Sequence, residues 1–159
     1  DIPYLKCFYT AGCWSLFAGV GLSVDPDGVP QAAFPLFLFV FLRMFASTYL
    51  GDIRDARIDA AGGMKTIANQ ISPAANKNLV YAVHLASAFF VVVCVAHSAM
   101  PVAALGLIPP CIIGFTCYRL WRRYPQHGEI LLELYDFELL LLAPGVAVAG
   151  AVTALSGLT

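Results

Sequence analysis

Apolar positions run along this chain in long unbroken blocks rather than in alternation, and the polar positions gather between them. Five blocks are long enough to span a bilayer: about Cys7 to Val24, Ala32 to Leu50, Leu79 to Ala96, Val102 to Leu120 and Ile130 to Leu155. Each holds roughly 18 to 25 largely apolar residues, near the ~20 that cross a ~30 Å hydrocarbon core at 1.5 Å per residue. Barrel strands are excluded, because such strands alternate and are far shorter. The pattern predicts an all-α membrane protein: one transmembrane helical domain of five helices covering residues 1–159.

Composition strengthens this reading. Hydrophobic residues make up 60% of the 159 positions and charged ones only 12%, about half the share of a soluble domain. The formal net charge of −1 says little about partners, because the polar face is so small. Membrane lipids are the expected surroundings, and nucleic acid is not an expected partner. There is no initiator methionine and no visible signal peptide, so "DIPYLK" reads as the continuation of a longer protein.

Charge is distributed unevenly over the connectors. The first and third contain Asp25, Asp27 and His97 but no Lys or Arg. The opposite side receives Lys6, then Arg54, Arg57, Lys65 and Lys77, then Arg119, Arg122 and Arg123; the remaining basic residue, Arg43, lies inside the second block. By the positive-inside rule the basic side faces the cytosol, or the stroma or matrix of an organelle. The expected location is therefore a plasma, inner or organellar membrane, with the N-terminus inside.

The second connector, residues 51–78, is the longest and holds "GDIRDARIDAAGGMKT". Polar connections of that length are often functional. Asp52, Asp55 and Asp59 are spaced i, i+3, i+7, which on a helix sets three carboxylates on one face. Like charges on one stripe repel, so something positive is expected opposite them. Hard divalent cations suit carboxylate oxygens, and Mg²⁺ in particular is held by one or two carboxylates plus substrate phosphates. Arg54 and Arg57 interleave with the acids and Lys65 follows the Gly62-Gly63 break, supplying donors for phosphate oxygens. The spacing alone is equally compatible with a solvated loop of local Asp–Arg pairs.

The stretch "GDIRDARIDAAGGMKTIA", at the end of a hydrophobic block, resembles the second aspartate-rich motif of the UbiA-type intramembrane prenyltransferases. In that superfamily a D-x-x-D-x-x-x-D run precedes a glycine and a basic-Ser/Thr tail, and Gly63-Met64-Lys65-Thr66 fits that tail. "PYLKCFYTAGCWSLFAG" is similar to the helix that precedes the motif in the family. The resemblance covers essentially the whole chain, but only the C-terminal portion of a nine-helix family member.

That resemblance implies a helical bundle around a cavity open to lipid, which transfers a prenyl group from an allylic diphosphate to a lipophilic or aromatic acceptor such as a quinone or chlorophyll precursor. It implies Mg²⁺ held by Asp52, Asp55 and Asp59, with Lys65 as the strongest diphosphate contact and Arg54, Arg57 and Lys6 beside it. Two departures stand out. The family's first motif, N-D-x-x-D-x-x-x-D, is absent from this sequence, and the residues flanking Asp59 differ from many relatives. This chain thus resembles one half of a two-part site, the other half being supplied elsewhere. The alternative is a UbiA-derived structural subunit of a photosynthetic or respiratory complex, binding lipid, quinone or pigment.

Other polar residues carry two readings each. Arg43 within a span either snorkels, pairs with an acid or lines a cavity. Glu129, Glu133, Asp136 and Glu138 complement a helix dipole or pair with the Arg119–Arg123 cluster, and Asp136 is deep enough to orient an acceptor hydroxyl. His84 and His97 are packing residues or, if neutral, ligands to a pigment or haem metal. Cys7, Cys13, Cys94, Cys111 and Cys117 lack metal-site spacing and read as apolar thiols. Pro109, Pro110 and Pro144 are expected to kink helices. The stripe from Phe34 to Phe45 serves lipid contact and packing, or stabilises a cation by its ring faces.

Overall fold

A computed structural model describes residues 5–23, 33–125, 130, 131, 133 and 135. Its regular secondary structure is all helix, with no strand among the described residues, and three of its helical segments are long and apolar enough to cross a membrane: Ala33–Ala61, Pro73–Ala96 and Val102–Arg123. They correspond to the second, third and fourth predicted spans. The first predicted span also forms a helix, but is not among those three. The fifth lies almost wholly outside the described residues. The chain divides into two compact units, Asp1–Val83 and His84–Thr159.

In the first unit, α1 (Leu5–Ser23) packs along α2 (Ala33–Ala61). The contact face of α1 is a four-spaced stripe of small residues, Cys7, Ala11 and Ser15, all buried. Small side chains let two backbones approach closely, which is how helices associate where lipid removes the hydrophobic drive. The Ser15 hydroxyl donates to the Ala11 carbonyl at 2.6 Å and so brings no unsatisfied group into the contact. Phe8 packs on Phe45, with centroids 5.1 Å apart, and Phe45 stacks on Tyr49. The large apolar side chains of α1, among them Tyr9, Leu16 and Phe17, point outward, as expected of a surface that meets hydrocarbon.

The helix α2 does not stop at Leu50, where hydropathy falls; it runs on to Ala61. It ends on glycine: Gly62 N–H donates to Ile58 O, and Met64 N–H donates to Asp59 O across Gly63, whose φ is +74°. Only glycine takes that left-handed conformation without strain. The short α3 (Ile67–Gln70) then starts on a capping box, in which Thr66 accepts from Asn69 N–H and Asn69 Oδ1 accepts from Thr66 N–H. Next, α4 (Pro73–Ala96) begins with Pro73 after Ser72, whose hydroxyl accepts from Ala75 N–H. Buried Asn76 fastens these pieces, donating to Ala68 O at 2.8 Å and accepting from the Tyr49 hydroxyl. The predicted polar loop is therefore an ordered helix extension, turn and cap.

The second unit holds the remainder of α4, a 3₁₀ segment, η1 (Val102–Leu107), and α5 (Ile108–Arg123). Pro109 and Pro110 fall in the first turn of α5, where missing N–H groups cost nothing, so they begin this helix instead of kinking it. Pro144 lies outside the described residues. None of the five cysteines forms a disulfide, and Cys7, Cys94 and Cys111 are buried.

Candidate functional site

The acidic run lies on the last turns of α2, and helix geometry sorts its members. At 100° per residue, Asp52 and Asp59 are about 20° apart around the axis and Asp55 about 60° from Asp52. Asp52 and Asp59 are accordingly buried, at 2% and 6% exposure, and Asp55 is half-buried at the rim. Arg54 and Arg57 fall on the other side of the helix and are exposed. The single face predicted for the carboxylates is present, while the two arginines do not converge on its buried members.

What stands opposite the carboxylates comes from α1. Lys6 Nζ lies 2.7 Å from Asp52 Oδ1. Cys7 Sγ donates to the other oxygen, Oδ2, at 3.1 Å. The Lys6 ammonium also feels Asp59, and its pKa is raised above the ordinary 10.5, chiefly by the hydrogen bond to Asp52, against the opposing effect of burial. Asp55 is held by its own neighbour: Arg54 Nε and a terminal guanidinium nitrogen donate to its two oxygens at 2.8 and 2.9 Å. Asp59 differs, because its Oδ2 is buried with no hydrogen-bond partner. An orphaned buried carboxylate oxygen is costly, and it is the feature here that asks for a further cation or donor.

The donor chemistry fits an oxygen-preferring divalent ion. Asp55 lies one turn from both Asp52 and Asp59, so two carboxylates at a time fall within one ion's reach, whereas Asp52 and Asp59 are about 10 Å apart along the axis. No group of three such side chains is gathered around one point among the described residues. Lys65 follows the left-handed Gly63, beyond the end of α2, and is exposed. Asp136, proposed from the sequence to orient an acceptor, lies outside the described residues, as do Glu129 and Glu138; Glu133 is exposed.

Cys7 is the residue that sequence reasoning missed. It reads there as an inert apolar thiol, yet it holds Asp52. Its position beside Lys6 was the available signal: in a helical hairpin the start of α1 is level with the end of α2. Arg43 is 1% exposed, so its head is enclosed rather than snorkelled to a surface.

The second unit holds a separate cavity of about 110 Å³, lined by His84, Leu85, Ala88, Cys111, Ile112 and Phe115. His84 is buried and meets Tyr135 edge-on, with centroids 5.6 Å apart. Ligand pockets usually measure about 300–1,000 Å³, so this space is small by comparison. No family model matches the chain, nor does any curated protein or solved structure.

Proposed function

We propose that this chain forms the second half-site of a UbiA-like intramembrane prenyltransferase, transferring a prenyl group from an allylic diphosphate to a lipophilic or aromatic acceptor. The observation that carries the proposal is the run "GDIRDARIDAAGGMKT", with its spaced aspartates and its Gly-Met-Lys-Thr tail. Support comes from the buried face shared by Asp52 and Asp59, and from the unpartnered Asp59 oxygen. On this reading the protein has five spans, with its basic loops on the cytosolic, stromal or matrix side, and a segment outside this sequence supplies the first aspartate-rich loop.

Asp55, with Asp52 on one side or Asp59 on the other, would hold Mg²⁺. When bound, Mg²⁺ supplies positive charge to the diphosphate as the prenyl–oxygen bond breaks. Lys65, beyond the end of α2, offers a mobile ammonium to the phosphate oxygens. Arg57 faces away from the buried acids and contributes to the surrounding field rather than to a direct clasp. The apolar interior keeps water from the electron-poor prenyl group until the acceptor attacks.

A second reading, a structural subunit derived from the same ancestor that binds lipid, quinone or pigment, is favoured by one observation. Asp52 and Asp55 are already engaged by Lys6, Cys7 and Arg54, as a helix end with a purely architectural task would be. Mg²⁺-dependent prenyl transfer by the full-length protein separates the two. The enzyme reading expects turnover that Asp52→Ala and Asp55→Ala each reduce by at least tenfold. Turnover indifferent to both changes would sink the site assignment.

A further inference from the structure

The carboxylate face presents a conflict that the proposed function does not resolve. A metal site needs free carboxylate oxygens, yet Asp52 is buried and already holds an ammonium at 2.7 Å and a thiol at 3.1 Å. The same ammonium is electrostatically linked to Asp59, whose Oδ2 has no hydrogen-bond partner. Lys6 is therefore bonded to Asp52 and within electrostatic reach of Asp59, about two helical turns further along α2.

The two ends of this contact differ in freedom. Asp52 is fixed: it is 2% exposed, on a helix, and its second oxygen is held by Cys7. Lys6 is 59% exposed, on a flexible four-carbon stem near the start of α1. If the pair opens, the lysine is the member that moves, and the Cys7 thiol keeps the carboxylate aimed. The Arg54–Asp55 pair lies at the rim, between adjacent residues, and an exposed pair of this kind presents only a weak barrier.

We propose that Lys6 is the resting counter-ion of this face: a divalent cation enters by displacing its ammonium from Asp52, and the released ammonium passes to the diphosphate that arrives with the cation. The exchange rests on the metal–diphosphate reading above. It keeps buried Asp52 neutralised when no cation is present. It also makes cation and diphosphate binding mutually favourable, because the lysine that the cation displaces regains an anion when the diphosphate is present. Cys7 acts as a positioning residue, holding Asp52 through the exchange.

Two measurements on the full chain in lipid nanodiscs test this. The first is Mn²⁺ binding, followed by the free-ion electron paramagnetic resonance signal, for wild type, Lys6→Met and Lys6→Arg, with and without inorganic pyrophosphate. Without pyrophosphate, Lys6→Met is expected to bind Mn²⁺ about tenfold more tightly than wild type, the scale of removing one nearby charge in a hydrated setting. Lys6→Arg is expected to stay near wild type. With pyrophosphate the advantage of Lys6→Met is expected to vanish or reverse.

The second measurement needs no destabilising variant. The only lysines are Lys6, Lys65 and Lys77, so ¹⁵N-lysine labelling gives an ammonium spectrum simple enough to assign with Lys6→Arg. The Lys6 signal is expected to shift on saturation with Mg²⁺ and to shift again on adding pyrophosphate. Equal Mn²⁺ affinities with a stationary Lys6 signal overturn the exchange and leave the metal reading standing. Mn²⁺ bound by no variant, with or without pyrophosphate, overturns both.

Discussion

The Lys6–Asp52 contact is asymmetric, and the asymmetry predicts that its two halves will not be equally costly to remove. Lys6→Met leaves a carboxylate that is 2% exposed with a single thiol donor. An uncompensated buried charge costs about 3–5 kcal/mol when its partner is buried too. Here the partner is 59% exposed, so water already screens the pair, and the expected loss falls to about 1–2 kcal/mol. Asp52→Asn has a different outcome: the ammonium returns to water, and the amide oxygen still accepts from Cys7, leaving a loss of about 0.5–1 kcal/mol. The double variant removes both charges and is expected to be less destabilised than Lys6→Met alone. The assay is SDS-driven unfolding in mixed micelles, followed by the fluorescence of Trp14, which lies on α1. Asp52→Asn costing as much as Lys6→Met would refute the argument, because it would mean that the lysine, and not the carboxylate, is the member trapped away from water.

Three further outcomes are expected in the same assay. Asn76→Ala removes the bond to Ala68 O and the acceptor of the Tyr49 hydroxyl, so it should cost about 2–3 kcal/mol; a change within error would show that the end of α2 is held otherwise. Gly63→Ala, at φ +74°, should cost about 1 kcal/mol. Gly62→Ala, whose new Cβ meets Ile58 O and Asp59 O at an ordinary 3.5 and 3.6 Å, should be near neutral or slightly stabilising; the reverse order would refute the turn geometry. The raised Lys6 pKa makes its contribution fully present below pH 10.5 and lost as pH rises through the higher folded value. An alkaline series should therefore show a decline in wild type that is shallower in Lys6→Met.

The helices over the second, third and fourth blocks were legible because continuous hydropathy leaves the chain no other way to satisfy its backbone. The end of α2 was not. Hydropathy stops at Leu50, but the helix continues while its residues favour it and one face stays covered, until Gly62 and Gly63 break it. The face shared by Asp52 and Asp59 follows from spacing once the segment is a helix. Their partners Lys6 and Cys7 do not, since the contacts span 46 and 45 residues and depend on how far α1 is slid along α2. Adjacency in sequence to the acids sets Arg54 and Arg57, by helical twist, on the opposite side of α2 from Asp52 and Asp59, where both are exposed.

The length of α2 also has a bearing on depth. Its 29 residues make a rod of about 43 Å, against roughly 30 Å of hydrocarbon. On the membrane-spanning reading the rod outlasts the hydrocarbon core, and Asp52 and Asp59 lie on its last turns, about 10 Å apart along it. Arg43 is about 13 Å from Asp52 along the same rod. On the reading proposed above, an anionic head bridged by a cation to the aspartates, with an apolar tail alongside, would meet this single element twice. Because the rod is stiff, distances along it are set by residue count, and inserting or deleting one turn between Arg43 and Asp52 would change their separation by about 5 Å.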